Sequence, residues 1–136
     1  MAERIKPHQD ILDGKERETA RESEGKRTRI DTQLPIGERA PEIRETLRNA
    51  QTCLLIGETG SGKTTQMPLL LLETLPVGAR IAITQPRRMA VRSTARYTAG
   101  RLGSPLGKEI GYKIRHEDRT TEGTRATFLT DGILLR

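Results

Sequence analysis

The sequence predicts an α/β fold, a parallel sheet with flanking helices, on three observations. Short apolar runs alternate with segments patterned for helices, as in chains that wind a sheet and its crossovers in turn. A glycine-rich stretch sits where one of these runs gives way to a helix. A second apolar run is stopped by Pro86, and 136 residues with 33% hydrophobic and 31% charged content describe one domain with a modest core.

Taken in order, residues 1–33 mix 8 basic and 8 acidic side chains with few large apolar ones, and read as a charged, mobile tail. The folded unit is expected over residues 34–136. Pro41-Glu42-Ile43-Arg44-Glu45-Thr46-Leu47 places apolar residues four apart after a proline suited to a helix start. Cys53-Leu54-Leu55-Ile56 is the first strand expected, apolar throughout and therefore buried on both faces, with Cys53 as a small core side chain. A helix follows over residues 63–75. A second strand, residues 80–85, stops at Pro86, because the residue before proline is pushed out of the helical region. Residues 87–102 form the next helix, ended by Gly103, and residues 110–114 and 126–129 are further strands. Asp131 opens a last helix. Strands alternating with helices imply helices on both faces of the sheet.

Composition excludes several classes. The most apolar run is far shorter than the ~20 residues that cross a bilayer, and residues 1–17 lack the apolar stretch of a signal peptide, so the cytoplasm is the default compartment, with the nucleus the alternative in a eukaryote. One cysteine forms no internal disulfide, and His8 and His116 stand too far apart for a zinc site. Charge is uneven along the chain. Residues 80–136 hold 12 basic and 5 acidic side chains, so the whole net charge of +6 resides in this half. Such a bias is either a solvated face or a surface that meets a polyanion.

Gly57-Glu58-Thr59-Gly60-Ser61-Gly62-Lys63-Thr64 fits the pattern G-x-x-x-x-G-K-[ST] between a strand and a helix. Glycines at 57, 60 and 62 let the backbone curl so that successive N–H groups meet phosphate oxygens without a Cβ in the way. The helix behind adds its positive dipole end. Lys63 is the candidate for the β and γ phosphates, and the Thr64 hydroxyl for Mg²⁺. Glu58, Thr59 and Ser61 supply loop backbone, and with Thr65 the ATP-binding stretch covers residues 57–65. Hydrolysis also needs an acidic metal-holding residue at another strand end, for which Asp131 is the one candidate.

The run from Gly57 through Thr64 with Thr65 and Gln66 resembles motif I of the DEAH-box RNA helicases. Thr84-Gln85-Pro86-Arg87-Arg88-Met89-Ala90 resembles their motif Ia, and Thr130-Asp131-Gly132-Ile133-Leu134-Leu135-Arg136 their motif Ib. Gly111-Tyr112-Lys113-Ile114-Arg115 and Glu117-Asp118-Arg119-Thr120 are similar to the stretch between them. The resemblance covers residues 34–136. It implies the first of two RecA-like P-loop NTPase domains, with ATP and Mg²⁺ as cofactors and single-stranded RNA, or DNA, held through its phosphates. By the same carry-over, Lys63 and Thr64 are catalytic, Arg87, Arg88 and Thr130 touch the nucleic-acid backbone, and Asp131 belongs to motif Ib. Tyr97 stands where many members carry an arginine that stacks on adenine, with Arg96 beside it. Tyr97 either stacks on the base or packs its helix against the sheet. The chain stops before the Asp-Glu-Ala-His motif and the second RecA-like domain, so hydrolysis and unwinding are expected of a longer parent, with this piece alone inactive. Two alternatives remain: a different P-loop NTPase with Asp131 on Mg²⁺, and a binding module without catalysis.

Overall fold

The computed structural model describes residues 30–135; most of the expected tail lies outside them. Helix α1 spans Pro35–Glu38, α2 Ala40–Asn49, α3 Lys63–Thr74, α4 Arg88–Arg101 and α5 Asp131–Leu134. Strands are β1 Ile81–Gln85, β2 Ile110–Ile114, β3 Glu117–Arg119 and β4 Ala126–Thr130.

The four strands form one sheet in the order β1-β4-β2-β3. β4 runs parallel to both β1 and β2, while β3 folds back antiparallel on β2, so the sheet is mixed rather than wholly parallel. The return is a two-residue turn, Arg115 and His116, and His116 takes φ 66, a left-handed conformation uncommon outside glycine. Composition gave no warning of β3, because Glu117, Asp118 and Arg119 are poor strand formers. It is held by its partners instead.

Registers Ile81↔Ala126, Ile83↔Phe128, Ile110↔Ala126 and Tyr112↔Phe128 put these side chains on one face. Against that face lies α4, which offers Val91, Ala95 and Ala99 at four-residue spacing, small enough to bring helix and sheet close. Phe128 and Tyr112, buried at 0% and 1% exposure, are the largest members of this core. At β1 the opposite face, carrying Ala82 and Thr84, is exposed, so the expected helical cover on both sides is not found there.

Helix α3 joins two cores. Leu72 enters the sheet cluster, while Leu70 packs with Ile36, Ala40 and Ile43 of α1 and α2. A helix apolar on opposite sides is one buried between layers. Pro68, buried within it, donates no N–H to the Thr64 carbonyl four residues back. Ile30 and Asp31, on the tail side of the expected boundary, belong to this assembly: Ile30 packs on the second cluster and Asp31 N–H donates to Gln66.

The strand expected over residues 53–56 does not form. No strand is assigned there, Cys53 is exposed, and Leu54 and Ile56 are 83% and 84% exposed. Its apolar composition predicts burial only where neighbouring strands exist to receive its N–H and C=O groups. None of the four strands pairs with it.

Candidate functional site

The phosphate-loop candidate, residues 57–64, leads directly into α3. Gly60 and Gly62 take φ of 84 and 92, which L side chains rarely adopt. Gly62 is also pressed from behind, since a Cβ there would lie 2.9 Å from both the Ile36 Cγ2 and the Leu34 Cδ1. Glycine is needed twice over at this position, once for conformation and once for room.

Inside the loop lies the lysine. Lys63 Nζ donates to Gly57 O at 2.6 Å, to Glu58 O at 2.6 Å and to Ser61 Oγ at 3.1 Å, so all three ammonium protons are used. Ser61 N–H turns toward Glu58 O at 3.3 Å. The loop is thus closed around its own cation, with carbonyls turned toward the ammonium where inward N–H groups were expected. An anion entering here has to draw Lys63 off these carbonyls. Helix α3 has no side-chain cap, so its first N–H groups remain available to that anion. Thr64, on the first turn, is exposed and makes no hydrogen bond through its hydroxyl among the described residues. Lys63, the uncapped helix end and the free Thr64 hydroxyl are the donor set that suits a nucleotide phosphate with its Mg²⁺. An open cleft beside the loop is lined by α1, α2 and residues 53–57.

The second group of expected residues gathers at the carboxyl ends of β1 and β4. Gln85 pairs with Thr130, which makes the two motif-like segments neighbours on adjacent parallel strands. Beyond Gln85, Arg87 caps α4 and Arg88 begins it; both are exposed, and no acidic residue stands in that first turn. Cations at a helix N-terminus cost about 0.3–1 kcal/mol each when surface-exposed. No carboxylate among the described residues pairs with either. Asp131 follows Thr130 as the first residue of α5 and is exposed. Among the described residues no group of three His, Cys, Asp or Glu side chains could hold a metal.

Tyr97 is 45% exposed, on a part of α4 away from the buried stripe of Val91, Ala95, Thr98 and Ala99. Arg96 beside it is also exposed.

The basic half of the chain is less uniform than its count suggests. Arg92 bonds Glu117 through Nε at 3.0 Å and through a second hydrogen bond from its Nη2. Tyr112 donates its hydroxyl to the same carboxylate, and Arg119 stands 3.8 Å away. The Tyr112 hydroxyl first, and then Arg92, hold the Glu117 carboxyl below its ordinary range. Lys113 meets Asp118 at 2.8 Å and, with the Thr120 hydroxyl, lowers that carboxyl as well. Arg125 reaches Glu109 at 3.7 Å and the Leu72 and Pro76 carbonyls. These cations meet carboxylates and carbonyls at the β2–β3 hairpin and the ends of the sheet. Pairing of this kind cannot be read from a charge count.

Gln66, to which the sequence assigned no role of its own, closes the loop motif on the inner side of α3. It is fully buried, accepts a hydrogen bond from Asp31 N–H at 3.0 Å, and keeps a buried Nε2 with no partner among the described residues. The signal for it was a polar residue one helical turn before Leu70, on a face otherwise apolar.

Known proteins are similar to this chain over most of its length. Over 104 residues, 76% of this chain, it is 49% identical to the mouse ATP-dependent RNA helicase DHX33 and 48% identical to the human one. The fruit fly DHX33 is 45% identical over 115 residues. The chain is homologous to the DEAH-box RNA helicases. It spans only 15% of the length of the mouse and human proteins and 17% of the fly one. No protein-family model matches it. Among the described residues no helix is long and apolar enough to cross a membrane.

Proposed function

We propose that residues 34–136 are part of the first RecA-like domain of a DEAH-box RNA helicase, binding ATP and touching the RNA backbone. In the whole enzyme, with a second RecA-like domain, ATP hydrolysis would drive unwinding or remodelling of RNA in the cytoplasm or nucleus, one strand being held through its phosphates. The observation that carries this reading is the glycine loop closed around Lys63 Nζ at the uncapped start of α3. Lys63, released from Gly57 O and Glu58 O, supplies a cation for the β and γ phosphates. The Thr64 hydroxyl would hold Mg²⁺, the loop backbone of residues 57–65 would wrap the phosphates, and the exposed Tyr97 with Arg96 would meet the adenine. ATP with Mg²⁺ supplies a phosphoryl group whose cleavage releases energy.

Two exposed arginines at the start of α4, without a carboxylate partner among the described residues and against the helix dipole, would be stabilised by an anion there. Arg87, Arg88 and Thr130 accordingly serve as phosphate ligands, which position a strand without reading its bases. Nucleotide affinity of Lys63→Ala beside the parent tests the first half; equal affinities would refute the assignment. RNA affinity against salt for two unrelated sequences tests the second. The double change Arg87→Ala with Arg88→Ala should weaken both RNAs alike and flatten the log-log slope by about 0.7 for each phosphate no longer neutralised. An unchanged slope removes these residues from the interface.

A further inference from the structure

Behind the phosphate loop lies a structure that touches no ligand. Ile36 N–H, one of the first-turn donors that a helix leaves without an internal partner, donates instead to Ser61 O at 3.2 Å. The Leu34 and Ile36 side chains close on Gly62 from the same side. Asp31 N–H donates to Gln66 Oε1 at 3.0 Å, and Gly62 O receives Gln66 N–H at 2.8 Å. Three points of the segment 31–36 therefore grip residues 61–66, the stretch that sets where Lys63 and Thr64 project.

Gln66 is the centre of this grip. Acceptance from a backbone N–H fixes its amide with Oε1 toward Asp31, which leaves Nε2 buried and, among the described residues, unpaired. A buried donor without a partner works against stability. A side chain of similar length such as methionine would remove the unpaired Nε2 and would leave the half-buried Asp31 N–H to find water instead. The glutamine is thus poorly explained as a device for folding and well explained as the tie that seats α3 and its loop against residues 31–36.

The geometry points to Gln66 as a positioning residue for nucleotide binding, acting through its bond to Asp31 to hold the phosphate loop in register with residues 31–36. This rests on the ATP-binding reading above. A positioning role and a structural one differ in sign. If Gln66 served stability, Gln66→Met would lower the unfolding temperature. As a positioning residue, Gln66→Met leaves that temperature unchanged or raises it, while ATP affinity falls about threefold to tenfold, the range of one neutral hydrogen bond. Amide exchange at residues 60–64 should quicken while that of β4 stays as in the parent.

The experiment compares the parent chain, Gln66→Met, Leu34→Ala and Lys63→Ala, with ATP and Mg²⁺ as probe, following affinity, thermal unfolding and hydrogen exchange. Leu34, half-buried, backs Gly62 without entering the sheet core, so its truncation gives a second, folded route to the same loosening. Loss of affinity in Lys63→Ala alone, with Gln66→Met and Leu34→Ala binding as the parent does, overturns the inference and keeps the ATP site. Equal affinity in all four overturns the ATP site itself. A lowered unfolding temperature in Gln66→Met, with loss of affinity no greater than the loss of folded chain, also overturns it.

Discussion

Residues 53–56 and residues 126–130 are both short, apolar and followed by a motif-like segment, yet they meet opposite fates. β4 lies between β1 and β2, bonded on both sides, and its Phe128 is wholly buried. The segment 53–56 pairs with none of the strands and leaves Leu54 and Ile56 in water. The difference is not in the side chains. A strand is a property of a neighbourhood, because its backbone groups are satisfied only by other strands.

The largest effect that could break this contrast is a truncation in each region. Phe128→Ala should cost about 3–5 kcal/mol through reduced burial and the cavity left behind. Ile56→Ala should stay within about 0.5 kcal/mol, as exposed positions do. Denaturant unfolding of the two variants measures both, and a large cost at Ile56 would mean that residues 53–56 are buried in solution.

Gly111→Ala sharpens the same point on the sheet side. A Cβ at position 111 would lie 2.4 Å from Arg119 O, so β2 and β3 have to part. A loss of about 1–3 kcal/mol is expected, the range for overpacking. An unfolding midpoint equal to the parent's would show that the hairpin yields freely.

Acid should loosen the hairpin before it reaches the core. Glu117 has its folded pKa lowered from the ordinary 4.5, by the Tyr112 hydroxyl and then Arg92, so its contribution is present above that value. It is lost as pH falls through the lower folded value. Stability of the parent should therefore decline more steeply on acidification below 4.5 than that of Glu117→Gln. Parallel pH profiles would show that the carboxylate adds nothing to the sheet. The smallest contrast is chemical: Cys53, exposed, should react with a thiol reagent at nearly one rate in native and denatured chains. Strong native protection would again place the segment in a sheet.

Local patterning made much of this legible. Four-residue spacing announced α2, Gly103 marked the end of α4, proline ended β1, and the glycine pattern located the loop before α3. Three features escaped for three physical reasons. Glu117, Asp118 and Arg119 became a strand because Arg92, Lys113 and Tyr112, distant in sequence or on the facing strand, receive their charges. The lysine's fold-back onto Gly57 and Glu58 depends on backbone carbonyls, which no side-chain pattern encodes. Gln66 stood in the sequence only as the last residue of the motif I resemblance, because its partner Asp31 lies 35 positions away.

Pro68 gives the loop a mechanical character. Without its N–H, the Thr64 carbonyl lacks the rung that would bind the first turn of α3 to the second, although Leu69, Leu70 and Leu72 anchor the later turns in the cores. The helix therefore carries one rung fewer at the turn from which Thr64 projects, and it is the buried Gln66 and the leucines beyond it, rather than a full ladder, that keep that turn seated.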